Sequence, residues 1–296
     1  MKIIITLLIC IISLQTIAEK IGTEERPIKI ALVPGQDVKK LMLNGRVLEE
    51  YLEKKLNKRF EVIVPQSFVA VVESMGTERV DMAIMNSFGY ILAHEKYQAR
   101  ARLMGMFKNR AEYWGQIIAR HDGPKSLEDL NGKTFAFVDP ASTSGFLLAK
   151  KALNDSKIKL KEHIFAGKHD SVVTMVYQGR VEAGATYHTL PDNGVPQDAR
   201  KLVATQYPDV FEKVKILEIT GPIPNDPVVF RKEFPKDIEN QIVQSMKDFI
   251  KTPKGLDAMM NLYHMDDLKD ATDNEWDSLR KILKEIQMTP NDFLKK

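Results

Sequence analysis

Two stretches of this chain repeat one order of elements, and that repetition restricts the fold more than any single motif does. Ile28-Lys29-Ile30-Ala31-Leu32-Val33 is an apolar run of strand length, Pro34-Gly35 breaks it, and Val47, Leu48, Tyr51, Leu52 and Leu56 follow as a helical pattern. Arg59 to Val64, ahead of Pro65, predicts a second strand. This is a β-α-β unit, and such units wind parallel sheets through right-handed crossovers. The strand, turn and helix order returns at 133–153. A second echo is local: the run from Val71 to Asp81 resembles the run from Val172 to Glu182 at a shift of 101, each a helix leading into a strand. Two similarly wound α/β lobes are the expectation.

The chain's own punctuation predicts where the lobes divide. Glu112 to Arg120 is an extended apolar segment leaving the first lobe, and Glu218 to Val229 carries three prolines and a glycine before another apolar strand. These read as two hinge crossings, near 113–118 and 220–228. Residues 27–112 and 226–296 then form lobe 1 and residues 113–225 form lobe 2. Ligands of open parallel sheets sit beyond the carboxyl ends of the strands. That rule singles out Pro34 to Asp37, Gln66 to Phe68, Asn86 to Tyr90, Ser142 to Ser144, His169-Asp170 and Thr186 to His188 as the edges of a central ligand cleft. Apolar stripes further on, such as Trp276, Leu279, Leu283 and Ile286, are ordinary core packing.

Lys2, the apolar run Ile3 to Ile12 and small residues at Thr16 and Ala18 have the layout of a secretory signal peptide, with cleavage predicted after Ala18. The apolar run is too short to span a bilayer. Cys10, the one cysteine, would leave with that leader, and Leu8-Ile9 before it is not a lipid-attachment pattern. Cleavage would leave 42 basic and 40 acidic side chains, since Lys2 is the only charged residue removed. With no basic block, nucleic acid is not an expected partner. The mature chain is expected to be a monomer that does not insert into the membrane.

Val138-Asp139-Pro140-Ala141-Ser142-Thr143-Ser144-Gly145-Phe146 carries the chemistry. Thr134 to Val138 predicts a buried strand, Pro140 forces a turn, and a helix begins at the hydroxyl cluster. A helix start offers unpaired N–H groups and partial positive charge, and three hydroxyls here add donors. The cluster reads either as a plain helix cap or as a cradle for a phosphate-like oxyanion.

Asp139 to Phe146 resembles the signature of the phosphonate/phosphite/phosphate-binding proteins of ABC importers, and Gly221-Pro222-Ile223-Pro224-Asn225-Asp226-Pro227-Val228-Val229 is similar to that family's return segment. The resemblance, to the PhnD-type branch, covers roughly Ile28 to Ile286. It implies a periplasmic-binding-protein-like fold of type II, a periplasmic location and a membrane permease as partner. It implies no cofactor and no catalysis. Carried over, Ser142, Thr143 and Ser144 match the family's phosphonate-oxygen donors and His169 its ligand-contacting histidine. Phe68 and Tyr90 fall where relatives place aromatic residues, and Asp226 falls at the return crossing. Asp170 and Tyr187 complete the candidate set. Phe68 where some relatives have a tyrosine, and Met85-Asn86-Ser87-Phe88-Gly89 in place of a glycine-proline pattern ahead of Tyr90, depart from the family and bear on the ligand's identity.

Each candidate has a plainer reading. His169-Asp170 suits a surface pair or cap, Phe68 and Tyr90 suit core, and Tyr187-His188 suits a cleft wall or a loop. Ser144, His169 and Asp170 lack the Gly-x-Ser-x-Gly elbow of a hydrolase, and the six histidines show no zinc spacing. The resemblance therefore implies an exported receptor that hands a phosphorus oxyanion to a permease. A ligand-sensing domain for a signalling partner and a receptor for a non-phosphorus organic anion are the alternatives.

Overall fold

A computed structural model describes residues 21–293; the predicted leader, residues 1–18, lies outside them. The first lobe opens with β1 (Ile28–Leu32), α1 (Val38–Leu56), β2 (Phe60–Ile63), α2 (Phe68–Gly76), β3 (Met82–Ile84), α3 (Ser87–Tyr97) and β4 (Arg100–Met106). The chain then enters a second sheet through β5 (Glu112–Arg120), β6 (Thr134–Phe137), α4 (Leu148–Asp155), β7 (Glu162–Phe165), α5 (His169–Tyr177), β8 (Ala183–His188), α6 (Val210–Lys213) and β9 (Val214–Pro224). It returns with β10 (Pro227–Phe230) and closes with α7 (Lys236–Ile250), α8 (Pro253–Tyr263), β11 (Asp267–Asp270), α9 (Asp277–Glu285) and α10 (Pro290–Phe293).

The first sheet runs β11-β4-β10-β3-β1-β2 and the second β7-β6-β8-β5-β9. β1 pairs in parallel with β2 and β3, as its β-α-β origin requires, and β6 does the same with β7 and β8. The returning strand β10 lies antiparallel between β3 and β4. β5 and β9 pair antiparallel, with Glu112 opposite Pro224 and Tyr113 opposite Ile223, so both passages between the sheets lie side by side.

The two-residue period of β1 divides the core. Ile28, Ile30 and Leu32 pack into one cluster with Leu48, Ile242 and Met259 of the outer helices. Ala31 and Val33 face the opposite way, into a cluster that runs from α2 and α3 through Trp276 and on to Phe135, Val138 and Val172 of the second sheet. That second cluster ties the two lobes together.

Two local features go beyond the sequence reading. Asp267-Leu268-Lys269-Asp270 forms an edge strand against β4 although three of its four residues are charged. The hydroxyl cluster opens a π-helical turn, Thr143–Leu147, before α4 begins, with Leu147 N–H donating to Ser142 O (3.0 Å). Gly145 permits this, because a Cβ there would stand 2.4 Å from Val138 Cγ2.

α8 shows ordinary capping at work: Thr252 Oγ1 accepts from Gly255 N–H (3.0 Å), and Pro253 occupies the first turn, where no donor is required. Thr252→Ala is expected to lower unfolding stability by about 1 kcal/mol, read as an earlier urea midpoint at unchanged slope. An unchanged midpoint would mean that α8 is held by its packing against α1 and α7. Among the described residues no helix is long and apolar enough to cross a membrane.

Candidate functional site

The turn after β6 is buried from Ser142 to Ser144. Ser142 is the cap: its Oγ accepts from Gly145 N–H at 3.1 Å. Thr143 Oγ1 reaches into the first lobe, where it accepts from Asn86 Nδ2 (3.0 Å) and from the backbone N–H of Phe88 (2.8 Å). Asn86 Nδ2 also donates to Ala141 O at 2.7 Å. The Tyr113 hydroxyl lies among Thr143, Ser144 and Asp226, and burial pushes its ionisation well up. β5 makes room for this packing at Gly115, where a Cβ would lie 2.4 Å from Thr220 Oγ1 and 3.2 Å from Ser144 O.

Several enclosed polar atoms have no hydrogen-bond partner: Asn86 Oδ1, Thr220 Oγ1, Asp226 Oδ1 and His169 Nδ1 are among them. Buried polar groups are almost always paired, so each calls for an explanation. Three of the four belong to residues one contact from the Ser142–Ser144 turn: Asn86 through Thr143, Thr220 through Gly115, and Asp226 through Tyr113.

Asp226 keeps some exposure as a residue, yet its Oδ1 is sealed. Burial pushes its carboxyl up to about 7, opposed by hydrogen bonds from Ser87 N–H and the Tyr113 hydroxyl. Tyr263, near enough to feel that carboxylate, donates its hydroxyl to Val33 O at 3.3 Å.

His169 opens α5, and its backbone N–H donates across the cleft to Gly35 O at 3.2 Å. Its ring meets Tyr187 edge-on, with centroids 4.9 Å apart, and lies beside Gly35, as does Phe68. Burial lowers the imidazole to about 3, so His169 is neutral near pH 7. Burial also raises the Tyr187 hydroxyl.

The structure thus gathers Ser142, Thr143, Ser144 and Asp226 in one group, and Phe68, His169 and Tyr187 in a second that borders the same interlobe face. Tyr90 lies apart from both groups. Its hydroxyl donates to Asp273 Oδ1 (2.6 Å), and its ring packs on Trp276 at 4.7 Å. A helix turns about 100° per residue, so only the first residues of α3 border the cleft and the fourth points to the core. Asp170 accepts from the backbone N–H of its neighbour Ser171 (2.8 Å) in the first turn of α5, an acidic residue at a helix start.

Sequence reasoning put Asn86 at the cleft edge and Tyr113 and Thr220 in the crossings, but named none of them, nor Tyr263, as a ligand contact. Tyr113 and Thr220 lie on extended crossing strands, where no periodic pattern distinguishes one residue from the next. No Lys or Arg belongs to the group; its members are hydroxyls, amides, rings and one carboxyl. Among the described residues, no three His, Cys, Asp or Glu side chains are placed to hold a metal.

The family model described as ABC transporter, phosphonate, periplasmic substrate-binding protein matches residues 30–276. The chain is 28% identical over 180 residues to the phosphate-import protein PhnD of Mycolicibacterium smegmatis, a match covering 56% of this chain and 56% of that protein. It is 25% identical over 243 residues to the phosphonates-binding periplasmic protein of Escherichia coli, covering 78% and 68%. The matched stretch thus spans little more than half of the mycobacterial relative.

Among solved structures, a binding protein component of an ABC phosphonate transporter from Pseudomonas aeruginosa superposes with a TM-score of 0.77 at 16% identity, covering 88% of this chain and 86% of that one. PhnD1 from Prochlorococcus marinus, solved in complex with methylphosphonate, superposes with a TM-score of 0.75 at 15% identity, covering 88% and 98%. These likenesses establish the fold as α/β and periplasmic-binding-protein-like, of type II. By the match across residues 30–276, the chain belongs to the phosphonate family of ABC-transporter periplasmic substrate-binding proteins.

Proposed function

We propose that this protein captures a phosphorus oxyanion, whether phosphonate, phosphite or phosphate, between its lobes and delivers it to an ABC permease after export to the periplasm. The observation that carries the reading is the set of enclosed, unpartnered polar atoms around the Ser142–Ser144 turn, at the carboxyl ends of the strands. The Ser144 and Thr220 hydroxyls and the N–H groups of the turn are donors for anionic oxygens, and the Tyr113 hydroxyl, which donates to Asp226, orients that carboxyl beside them. Asp226 is an acceptor for a proton that the ligand carries.

That combination favours ligands with a P–OH group. Sulfate is fully deprotonated near neutral pH, so it would set an oxygen lone pair against the carboxylate. The names of the relatives, phosphate import and phosphonate binding, point to the same class.

Lobe 1, residues 27–112 and 226–296, would close on lobe 2, residues 113–225. Closure would follow a population shift toward the form in which both walls touch the ligand. Chemistry on the ligand is not part of this reading: burial holds the His169 imidazole at about 3, a weak base for taking a proton from a hydroxyl.

A thermal-shift panel of phosphate, phosphite, methylphosphonate, aminoethylphosphonate, sulfate and taurine tests it. One phosphorus oxyanion is expected to raise the melting temperature, with sulfate and taurine inert. A shift by sulfate or taurine and by no phosphorus compound would refute the assignment.

A further inference from the structure

Two side chains of the signature turn face the opposite lobe. α3 begins at Asn86, whose side chain makes no capping bond to its own helix. The bond an N-cap would make, acceptance from the second residue's N–H, is made by Thr143 Oγ1 with Phe88 N–H at 2.8 Å. α2 shows a related arrangement. Ser67 caps it by accepting from Ala70 N–H (3.0 Å), and the first N–H, that of Phe68, is left for Asp139 Oδ2 at 3.3 Å. Asp139 Oδ1 holds its own turn by accepting from Ala141 N–H at 2.8 Å. Both donor helices belong to the first lobe and both acceptors to the second.

We infer that Asp139 and Thr143 are positioning residues for lobe closure: from the second lobe, Thr143 supplies the cap that α3 lacks and Asp139 takes the N–H that Ser67 leaves open at the start of α2. The inference deepens the reading above and rests on its closing motion, not on which ligand is bound. Thr143 has two acceptor sites on its hydroxyl, and Asn86 Nδ2 and Phe88 N–H occupy both. Only its hydrogen is left for another partner. Asp139 has no cationic partner here. Its carboxyl is enclosed by backbone donors, and burial raises its pKa. A negative group at a helix start is favourable, and opening the lobes would return both helix starts and both oxygens to water. Closure therefore has a ligand-independent component.

The test uses the exported protein without ligand. Small-angle scattering reads compactness, and backbone amide exchange reads the N–H groups of Phe68 and Phe88 directly. The parent protein is expected to scatter as the compact form, with both amides protected. Asp139→Asn keeps an oxygen for Ala141 and turns an NH2 group toward Phe68 N–H; Thr143→Val keeps the shape and removes the acceptor. Each is expected to lower the closed-to-open ratio about fivefold, the loss of one cap, with exchange at Phe68 or Phe88 faster by the same factor. Thr143→Ser should restore the parent behaviour, which a purely packing role for the methyl group would not do.

A parent protein that is extended without ligand, with both amides exchanging at solvent rates, would overturn the inference. So would variants that stay as compact and as protected as the parent. If Thr143→Val does not unfold cooperatively, the Thr143→Ser variant and the parent's own exchange at Phe88 decide. No ligand enters these measurements, so failure of every phosphorus oxyanion in the thermal panel would leave their outcome standing.

Discussion

Ser144→Ala combined with Tyr113→Phe is expected to weaken methylphosphonate or phosphate binding by about a hundredfold, with the fold intact. A hydrogen bond to a charged group contributes roughly 1.5–3 kcal/mol; Ser144→Ala removes one donor to the anion and Tyr113→Phe removes the donor that orients Asp226, each while keeping the side chain's shape. The two hydroxyls are neighbours, so their losses are coupled and the double variant should fall short of the sum of the single ones. Ser142→Ala is the contrast. Ser142 Oγ accepts from Gly145 N–H, so its loss should cost about 1 kcal/mol of stability and leave affinity nearly unchanged. Titration calorimetry on the three proteins separates cap from cradle. Equal affinity in parent and double variant would place the anion away from the turn.

Asp226→Asn is expected to be more stable than the parent at about pH 8, and the difference should vanish as the pH falls toward 4. The folded-state carboxyl is raised to about 7 by burial, against an unfolded value near 3.9. A group raised on folding contributes stability that is fully present below the unfolded pKa and lost as pH rises through the folded one. Above pH 7 the parent holds an enclosed carboxylate without a cation, a cost of up to about 4 kcal/mol that the neutral amide avoids. For a chain of this size that corresponds to roughly 10 °C in Tm. Melting curves of both proteins across this range decide the point, and parallel pH profiles would show that Asp226 does not titrate differently on folding. The same substitution should weaken discrimination against sulfate, because an amide can donate where the carboxylate cannot.

How much could be read beforehand depends on the kind of force involved. β1, β3, β6 and β8 were legible because strands covered on both faces are largely apolar, and the helices between them because their caps and turns are local. The alternation of the two gave the fold class. The charged strand at Asp267–Asp270 was not legible, since its place at the edge of β4 is fixed by pairing alone. Within the site, the Ser142 cap was an open alternative in the chain itself. The direction of the Tyr90 ring was not legible because it depends on the docking of α3 against Trp276. Tyr113, Thr220 and the cross-lobe bonds of Asp139 and Thr143 escaped notice because their partners lie on other elements, some of them in the opposite lobe.

The strand order has a mechanical consequence. The two passages between the sheets belong to β4 and β10 on one side and to β5 and β9 on the other. Tyr113, Thr220 and Asp226 lie on or between these strands, at the fulcrum of any swing about them, where displacement is least. β1 and β6 each lie two strands further out, about 10 Å at ordinary strand spacing, and they lead to Gly35 and Asp139. The arc travelled grows with that radius. One side of an anion's coordination shell would therefore stand ready while the lobes are apart, and the other side would be carried in from the end of the lever.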